Sequence, residues 1–263
     1  MPILGTTASA ITLSTIPVSG YTFWLDANDA SSFTFSSSNV VSQWADKSGN
    51  GNHATQATVG NQPTRESSVL NSKAGVRFTG NADKALGMAT KIGAEGTQTF
   101  FLVLNTASGW TNSTGGNTPF FSSNAMSNSV PNGGVTIGSW TGAWANERVG
   151  WYAQTGGNQS FGIAQNSANV SSGGHIFSFN TTPSTNTRAI RMDNSEQSVV
   201  SSGNWSGSGT RPGNYDCIGN YIVTSGGSAF IGDICEVILY DTDLSDSDIT
   251  SVYNYLKAKW GTP

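Results

Sequence analysis

Acidic side chains are the first residues to consider for chemistry, because glycoside hydrolysis uses two carboxyl groups about 5 to 9.5 Å apart. The glutamates are scattered along the chain: Glu66, Glu95, Glu147, Glu196 and Glu236. The nearest acid to Glu236 is Asp233, and an offset of three on a regular strand places two side chains on opposite faces. A pair assembled from distant segments, such as Glu147 with an aspartate, stays open. We expect no enzymatic activity.

Nucleophile and cofactor motifs are missing from the sequence. No Gly-x-Ser-x-Gly, Walker or Gly-x-Gly-x-x-Gly sequence occurs, and no Cys/His metal constellation is found. The two histidines, His53 and His175, lie in different segments. His175 opens an apolar strand, which favours a hydrogen-bonded residue at a strand end over a catalytic base.

The segment from Asp46 to Gly51 places oxygen-bearing side chains at alternate positions before a glycine, as the start of a calcium loop does. Its twelfth position is Ala57 and not the bidentate glutamate of such a loop. We therefore favour a tight turn in which Asp46 accepts backbone N–H bonds and the glycines supply positive φ. No cofactor is expected, and calcium remains the alternative.

Tryptophans in Gly/Asn/Thr-rich segments are the better indication of binding. Aromatic faces recognise the apolar side of a sugar, and short polar side chains serve its hydroxyls. Some of these tryptophans belong to the core, since Trp is usually mostly buried. The candidate glycan-binding residues are Trp110, Trp140, Trp144, Trp151 and Trp205.

The charge of the chain argues against nucleic acid as a partner. The chain has 12 Lys and Arg against 16 Asp and Glu, a net charge of −4, with no basic cluster that would bind nucleic acid.

Two cysteines, Cys217 and Cys235, are too few for a disulfide scaffold. We favour buried reduced thiols, with a cross-strand bridge as the alternative.

Short apolar runs between Gly, Asn and Ser clusters indicate strands near residues 21–25, 40–44, 75–78, 99–104, 119–121, 135–140, 149–153, 175–179, 188–192, 215–219 and 229–240. They predict an all-β fold, a two-sheet antiparallel jelly-roll sandwich. The stretches 105–118 and 122–134 are expected to be loops on one rim.

One helix is predicted at the C-terminal end. Ser245 with Asp248 forms a capping box, and an apolar stripe from Ile249 to Trp260 follows it. Lys257 and Lys259 lie in the last turn, Gly261 supplies the stop, and the stripe must dock on the sandwich.

The first twenty residues are uncharged and alternate Ser and Thr with apolar residues, which argues against a membrane span and a secretory signal. We expect an N-terminal attachment arm at 1–20 and one domain at 21–263. The candidate docking residues are Ile3, Leu4, Ile11, Leu13, Ile16 and Val18.

Three motifs resemble laminin-G-like jelly rolls of the concanavalin A-like lectin/glucanase superfamily. They are WLDA at 24–27 with VSQWADKSGNGNHA at 41–54, GVRFTG at 75–80, and FIGDICEVILY at 230–240 with the helix that follows. The resemblance covers residues 21 to 260. The Glu-x-Asp-x-x-Glu strand of the superfamily's glycosidases is absent.

The opening MPILGTTASA resembles the N-terminal arm of structural proteins of tailed bacteriophages. The resemblance implies a non-catalytic virion surface protein, a capsid decoration, fibre or tail-associated protein made in the host cytoplasm. Its partners would be other virion proteins, further copies of itself and host surface polysaccharide, with neither nucleic acid nor membrane. The alternatives are a carbohydrate-binding module or adhesin and, third, a polysaccharide hydrolase.

Overall fold

A computed structural model describes residues 15–80, 84–92, 97–106, 118–123, 134–137, 149–155, 158–164, 172–182, 187–202, 216–219 and 230–263. The first half of the described chain forms strands β1 (Tyr21–Asp26), β2 (Phe33–Ser37), β3 (Val40–Trp44), β4 (Ala54–Thr55), β5 (Thr64–Leu70), β6 (Lys73–Thr79), β7 (Leu86–Gly87), β8 (Gln98–Thr106) and β9 (Thr118–Ser123). The second half forms β10 (Gly134–Ile137), β11 (Val149–Thr155), β12 (Asn158–Ala164), β13 (Gly173–Thr182), β14 (Thr187–Met192), β15 (Ser195–Glu196), β16 (Val199–Ser202), β17 (Asp216–Ile218), β18 (Ile231–Tyr240) and helix α1 (Asp246–Trp260). Short 3-10 turns occupy Ala30–Ser32 and Val59–Asn61.

The strands form two layers, and every pairing between described strands is antiparallel. In the first layer β18 is central: it pairs with β8 along one edge, and with β6 and then β1 along the other. Beyond β8 the layer continues with β13, β14 and β15. On the opposite side β5 pairs with β6. The second layer runs β2, β3, β4, β7, β17, β9, β10, β11, β12, β16. The layers meet where Val40 of β3 pairs with Thr64 of β5. The all-β sandwich expected from the sequence is confirmed.

Alternation along β8 shows why the first layer is buried on both faces. Phe100, Leu102 and Leu104 belong to the main core between the two layers. Phe101 and Val103 point the other way, into a second core under α1. Successive residues of a strand face opposite sides, so a continuous apolar run marks a strand covered twice.

Helix α1 begins and ends where the sequence predicts. The Ser245 hydroxyl accepts the Asp248 N–H at 3.2 Å, and Gly261 ends the helix with φ of +67°. One detail differs, because the Asp248 carboxylate binds the Ser245 hydroxyl at 2.7 Å, which makes it part of the cap through the side chain. The apolar stripe is buried on the first layer through Ile249, Val252, Tyr253, Tyr255, Leu256 and Trp260.

Seven strands are not predicted by the sequence: β2, β4, β5, β7, β12, β15 and β16. β4, β7 and β15 have two residues each, which is too short for a pattern. β5 reads TRESSVL and is half exposed, so it has no apolar run. The predicted loops 105–118 and 122–134 have strand residues at both ends, and their interiors, 107–117 and 124–133, lie outside the described residues. No described helix combines the length and apolar character needed to cross a membrane.

Candidate functional site

A β-bulge in β18 turns Glu236 toward α1. The register between β18 and β8 shifts between Ile234 and Glu236, so Cys235 is an extra residue in the strand. Ile234 faces the main core, while its neighbour Asp233 and, beyond the bulge, Glu236 both face the side of α1. The expectation of opposite faces for these two acids is wrong, because the bulge interrupts the alternation on which it rested.

Asp233 and Glu236 nevertheless have separate partners. Asp233 is buried and forms a two-point ion pair with Arg77 of β6, at 2.8 and 3.1 Å. Its Oδ2 also accepts the side-chain amide of Asn105 at 3.1 Å. These bonds tie β18 to its two neighbouring strands and leave Glu236 in a different environment.

Glu236 is enclosed by hydrogen-bond donors from β1 and α1. Its Oε1 accepts Trp24 Nε1 at 2.8 Å and the Tyr255 hydroxyl at 3.3 Å, and its Oε2 accepts Trp260 Nε1 at 2.6 Å. Lys259 Nζ lies 2.8 Å from the same Oε2. The side chain of Glu236 is 0% exposed, so these donors replace its water shell.

Lys259 joins Glu236 to a chain of alternating charges, which we call the Glu236 cluster: Glu236, Lys259, Asp26, Lys47 and Asp29. Lys259 Nζ lies 2.9 Å from Asp26 Oδ2, and Lys47 Nζ lies 3.3 Å from that oxygen and 2.7 Å from Asp29 Oδ2. Strand pairing places Asp26 directly opposite Glu236. The cluster therefore runs from the surface at Asp29 to the interior at Glu236.

Burial and neighbouring charges shift the pKa values of the cluster in different directions. Burial raises the pKa of Glu236, an effect that Lys259 opposes and Asp26 reinforces. At the outer end, the hydrogen bond from Lys47 lowers the pKa of Asp29 to about 2. Burial would lower the pKa of Lys47, but bonds to Asp29 and the charge of Asp26 outweigh it and raise the pKa.

The two inner carboxylates are close together but inaccessible. Asp26 Oδ2 and Glu236 Oε2 lie 2.9 and 2.8 Å from one nitrogen, so they are less than about 6 Å apart, within the upper limit for a glycosidase pair. Both oxygens of Glu236 are occupied by protein donors and the side chain is fully buried. The arrangement fastens the last turn of α1 to β1 and β18.

Asp46 organises the segment first considered as a calcium loop. Its Oδ1 accepts the N–H groups of Trp24 and Ser48, and its Oδ2 accepts the Ser48 hydroxyl and the Asn52 N–H, all within 3.1 Å. Gly49 and Gly51 have φ of +93° and +74°. The tight turn that the sequence favours is confirmed. Within the described residues no group of three or more His, Cys, Asp or Glu could hold a metal.

The two histidines form hydrogen bonds in separate parts of the structure. His175 is buried, and its Nδ1 lies 2.7 Å from Asp193 Oδ2, while Asp193 Oδ1 accepts the Ile176 N–H. His53 Nδ1 accepts the backbone N–H of Asp46 at 3.1 Å. The hydrogen-bonded His175 is confirmed, although it is the third residue of β13 and does not open the strand. Cys217 and Cys235 are both buried and form no disulfide, in agreement with the buried thiols that the sequence favours.

The predicted docking and glycan-binding residues fall mostly outside the described part of the chain. Ile16 is buried in the second core, Val18 packs against that core, and the Val18 carbonyl accepts the Tyr240 hydroxyl at 2.9 Å. The backbone of Trp151 lies in β11. The residues outside the described ranges are Ile3, Leu4, Ile11, Leu13, Trp110, Trp140, Trp144 and Trp205.

Sequence reasoning missed the Glu236 cluster. The sequence assigns Lys259 to the helix dipole and Trp24 to a family motif, whereas the structure points Lys259 inward at 12% exposure. Trp24 and Glu236 are 212 positions apart. The only signal in the sequence was the presence of acids on two strands and a lysine on the closing helix. That signal does not specify which residues of the two strands pair.

No protein-family model matches this sequence, and no curated protein matches it either. Solved structures do. Domain 4 of AbnA, an extracellular GH43 arabinanase from Geobacillus stearothermophilus, in complex with arabinotriose, is 11% identical with a TM-score of 0.58, over 89% of this chain and 98% of that one. Trypanosoma rangeli sialidase in complex with sialic acid is 12% identical with a TM-score of 0.60, over 95% of this chain and 35% of that one.

The binding domain of botulinum neurotoxin serotype D is 9% identical with a TM-score of 0.55, over 93% of this chain and 54% of that one. This chain thus spans about a third of the sialidase and about half of the toxin domain. At such identities the likeness shows the fold, a β-sandwich consistent with the lectin/glucanase-like jelly roll that the sequence resembles. No bacteriophage protein is among these three.

The expectation that the chain is not an enzyme is corrected by the same comparisons. The matched arabinanase and sialidase are glycoside hydrolases, whereas the expectation rested on the spacing of carboxylates along the sequence. The structure brings Asp26 and Glu236 together across 210 positions, so sequence spacing is no ground for excluding catalysis. The chain shares its β-sandwich with domains of carbohydrate-active proteins.

Proposed function

We propose that this β-sandwich is a carbohydrate-binding domain. The fold comparison supports the ligand class, because this chain aligns with 98% of a domain whose structure contains arabinotriose. The observation that carries the proposal is the position of the strand ends that flank its tryptophan-rich connections.

Three described strand ends lie side by side in the second layer. Thr118, the first residue of β9, pairs with Ile137, the last residue of β10, and Ile137 pairs with Val149, the first residue of β11. The connection that contains Trp110 ends at Thr118, and the connection that contains Trp140 and Trp144 runs from Ile137 to Val149. These three end residues are neighbours. The described ends of both tryptophan-bearing connections thus lie at one end of the layer.

The first layer offers less room for a ligand. One of its faces is packed against the second layer, and α1 covers the other, with Ile16 in the second core. Binding surfaces on sandwiches generally lie on the loops at the ends of the strands, which a rigid scaffold holds in place. Indole rings at such a rim would stack on sugar rings.

Titration with oligosaccharides tests the proposal. We expect saturable binding of arabinotriose or of another oligosaccharide in a glycan array, and a loss of about tenfold in affinity when Trp140 or Trp144 is replaced by alanine. Val59→Ala is the matched control, since Val59 is 59% exposed on a separate turn. A wild-type protein that binds none of the glycans contradicts the proposal. A reducing-sugar assay on the same glycans tests for hydrolysis.

Attachment to a virion through the N-terminal segment stays a prediction. Ile16 and Val18 are engaged with their own chain, so the test concerns the residues before them. Particles assembled with a chain that lacks residues 1–14 should incorporate less of the domain. Normal incorporation would contradict an attachment role for Ile3, Leu4, Ile11 and Leu13.

A further inference from the structure

Three aromatic rings form a stack that runs from the main core to the surface. Trp44 of β3 is 0% exposed, Phe33 of β2 is half-buried, and Phe35 of β2 is 37% exposed. The Trp44 and Phe33 rings are 5.4 Å apart with planes 22° from parallel, and Phe33 and Phe35 are 5.7 Å apart at 15°. We call these three rings the aromatic stack.

The aromatic stack fixes the outermost ring before any ligand arrives. Phe35 is held by Phe33, and Phe33 by a fully buried indole, so little side-chain freedom is left to lose on binding. Phe35 makes no other ring contact within the described residues. At 37% exposure, part of the Phe35 side chain is accessible to a further flat, apolar surface.

A fixed cation lies beside the aromatic stack. The Arg65 guanidinium carbon is 5.3 Å from the centre of the Phe33 ring. Arg65 Nε donates to the Ala27 carbonyl at 3.0 Å and Nη2 donates to the Asn28 carbonyl at 3.4 Å. These two bonds use the N–H groups on the Nε/Nη2 edge of the guanidinium. The second N–H of Nη2 and the N–H groups of Nη1, which form the Nη1/Nη2 edge, bond to no other described residue.

The charge of Arg65 has no carboxylate partner among the described residues, unlike Arg77, which forms an ion pair with Asp233. A planar guanidinium edge matches a carboxylate through two parallel hydrogen bonds. An aromatic face beside such an edge matches a pyranose that carries a carboxylate, since the sugar has an apolar face and a charged group.

We propose that Phe35 and Arg65 form a subsite for a carboxylated sugar, with the apolar face of the sugar on Phe35 and its carboxylate on the Nη1/Nη2 edge of Arg65. This inference rests on the proposed carbohydrate-binding function and specifies an acidic ligand class for it. The subsite lies at the edge strand β2, apart from the ends of β9, β10 and β11 that flank the tryptophan-bearing connections.

Calorimetric titration with trigalacturonate and with arabinotriose tests the subsite. Wild-type protein should bind trigalacturonate more tightly than the neutral trisaccharide, and the difference should shrink as salt rises because salt screens an exposed charge pair. Phe35→Ala should weaken binding of trigalacturonate about tenfold, while Phe35→Tyr, which keeps the ring, should preserve it. Arg65→Lys keeps the charge but loses the two-point edge, so it should bind trigalacturonate more weakly than wild type.

Val59→Ala is the control, because it removes exposed apolar surface elsewhere, and it should bind as wild type does. Thermal unfolding of Arg65→Lys establishes that the variant is folded, and Phe35→Ala gives a second test that does not depend on Arg65. Wild-type affinity in Phe35→Ala overturns the subsite. Binding of arabinotriose without binding of trigalacturonate overturns the subsite and leaves the proposed function standing. Binding of no glycan overturns both.

Discussion

Replacing Lys259 with methionine removes the cation between two buried carboxylates. Lys259 Nζ contacts Asp26 Oδ2 at 2.9 Å, Glu236 Oε2 at 2.8 Å and the Tyr255 hydroxyl at 3.3 Å. Methionine keeps most of the apolar stem. The substitution therefore measures the contribution of the ammonium group alone.

The expected loss follows from what remains around each acid. Asp26 keeps Lys47 at 3.3 Å and the Asn28 N–H at 3.0 Å, whereas Glu236 keeps only neutral donors and is 0% exposed. Removing one partner of a buried ion pair costs about 3 to 5 kcal/mol. In a domain of this size that lowers Tm by roughly 10 °C.

The loss should depend on pH through Glu236. Its pKa in the folded state is above the ordinary value of 4.5, first because of burial. Stability from such a group is fully present below the unfolded pKa and is lost as pH rises through the folded pKa. Lys259 lowers that pKa, so its removal raises the pKa further and enlarges the loss at neutral pH. The difference between variant and wild type should be larger at pH 7 than at pH 5.

Urea unfolding followed by tryptophan fluorescence at both pH values measures the effect. Lys257→Met is the matched control, because Lys257 is exposed in the same turn and should change the free energy of unfolding by less than about 0.5 kcal/mol. A second variant, Glu236→Gln with Lys259→Met, should lose less than the sum of the two single changes. A loss below about 1 kcal/mol, or one equal at pH 5 and pH 7, would refute the reasoning.

Three further changes have defined outcomes. Ser245→Ala removes the cap of α1 and should cost about 1 kcal/mol in urea unfolding. Gly219→Ala would place a Cβ 2.0 Å from Phe78 Cε1 at a φ of +87°, and should cost about 3 kcal/mol or more in the same measurement. Lys47→Met removes the main cause of the low pKa of Asp29, so an NMR titration should show that pKa rising from about 2 toward 3.8.

Each change has a control in the same element or of the same type. Ser251→Ala, in an exposed part of α1, should stay within about 0.5 kcal/mol of wild type. Gly60→Ala meets nothing within 4 Å and should be tolerated. Lys84→Met, which loses bonds to backbone carbonyls, should leave the pKa of Asp29 at about 2. A control that behaves like its test variant would contradict the assigned cause.

Local signals in the sequence were sufficient for much of the fold. The apolar run within 99–104 predicts a strand, and Ser245 predicts the start of α1, because both depend on residues a few positions apart. Polar edge strands such as β2 and β5 lack an apolar run, since one side of each lies near solvent. They form because a neighbouring strand supplies the hydrogen bonds.

The candidate sites were less predictable. The sequence places Asp46 in a tight turn, and the structure agrees, since its partners Ser48 and Asn52 are close along the chain. The pairing of Asp26 with Glu236 needs the register of β1 against β18. The side that Glu236 faces depends on a bulge that no short motif announces.

The amino-acid sequence by itself determined the all-β character of the chain, its closing helix and the turn at Asp46, because alternation, capping and turn chemistry act within a few residues. Only the tertiary structure decided which charges meet inside the domain and which ring reaches the surface. Lys259 lies between two acids, and Phe35 at the end of a stack, because strand register and helix docking bring together residues that the chain keeps far apart.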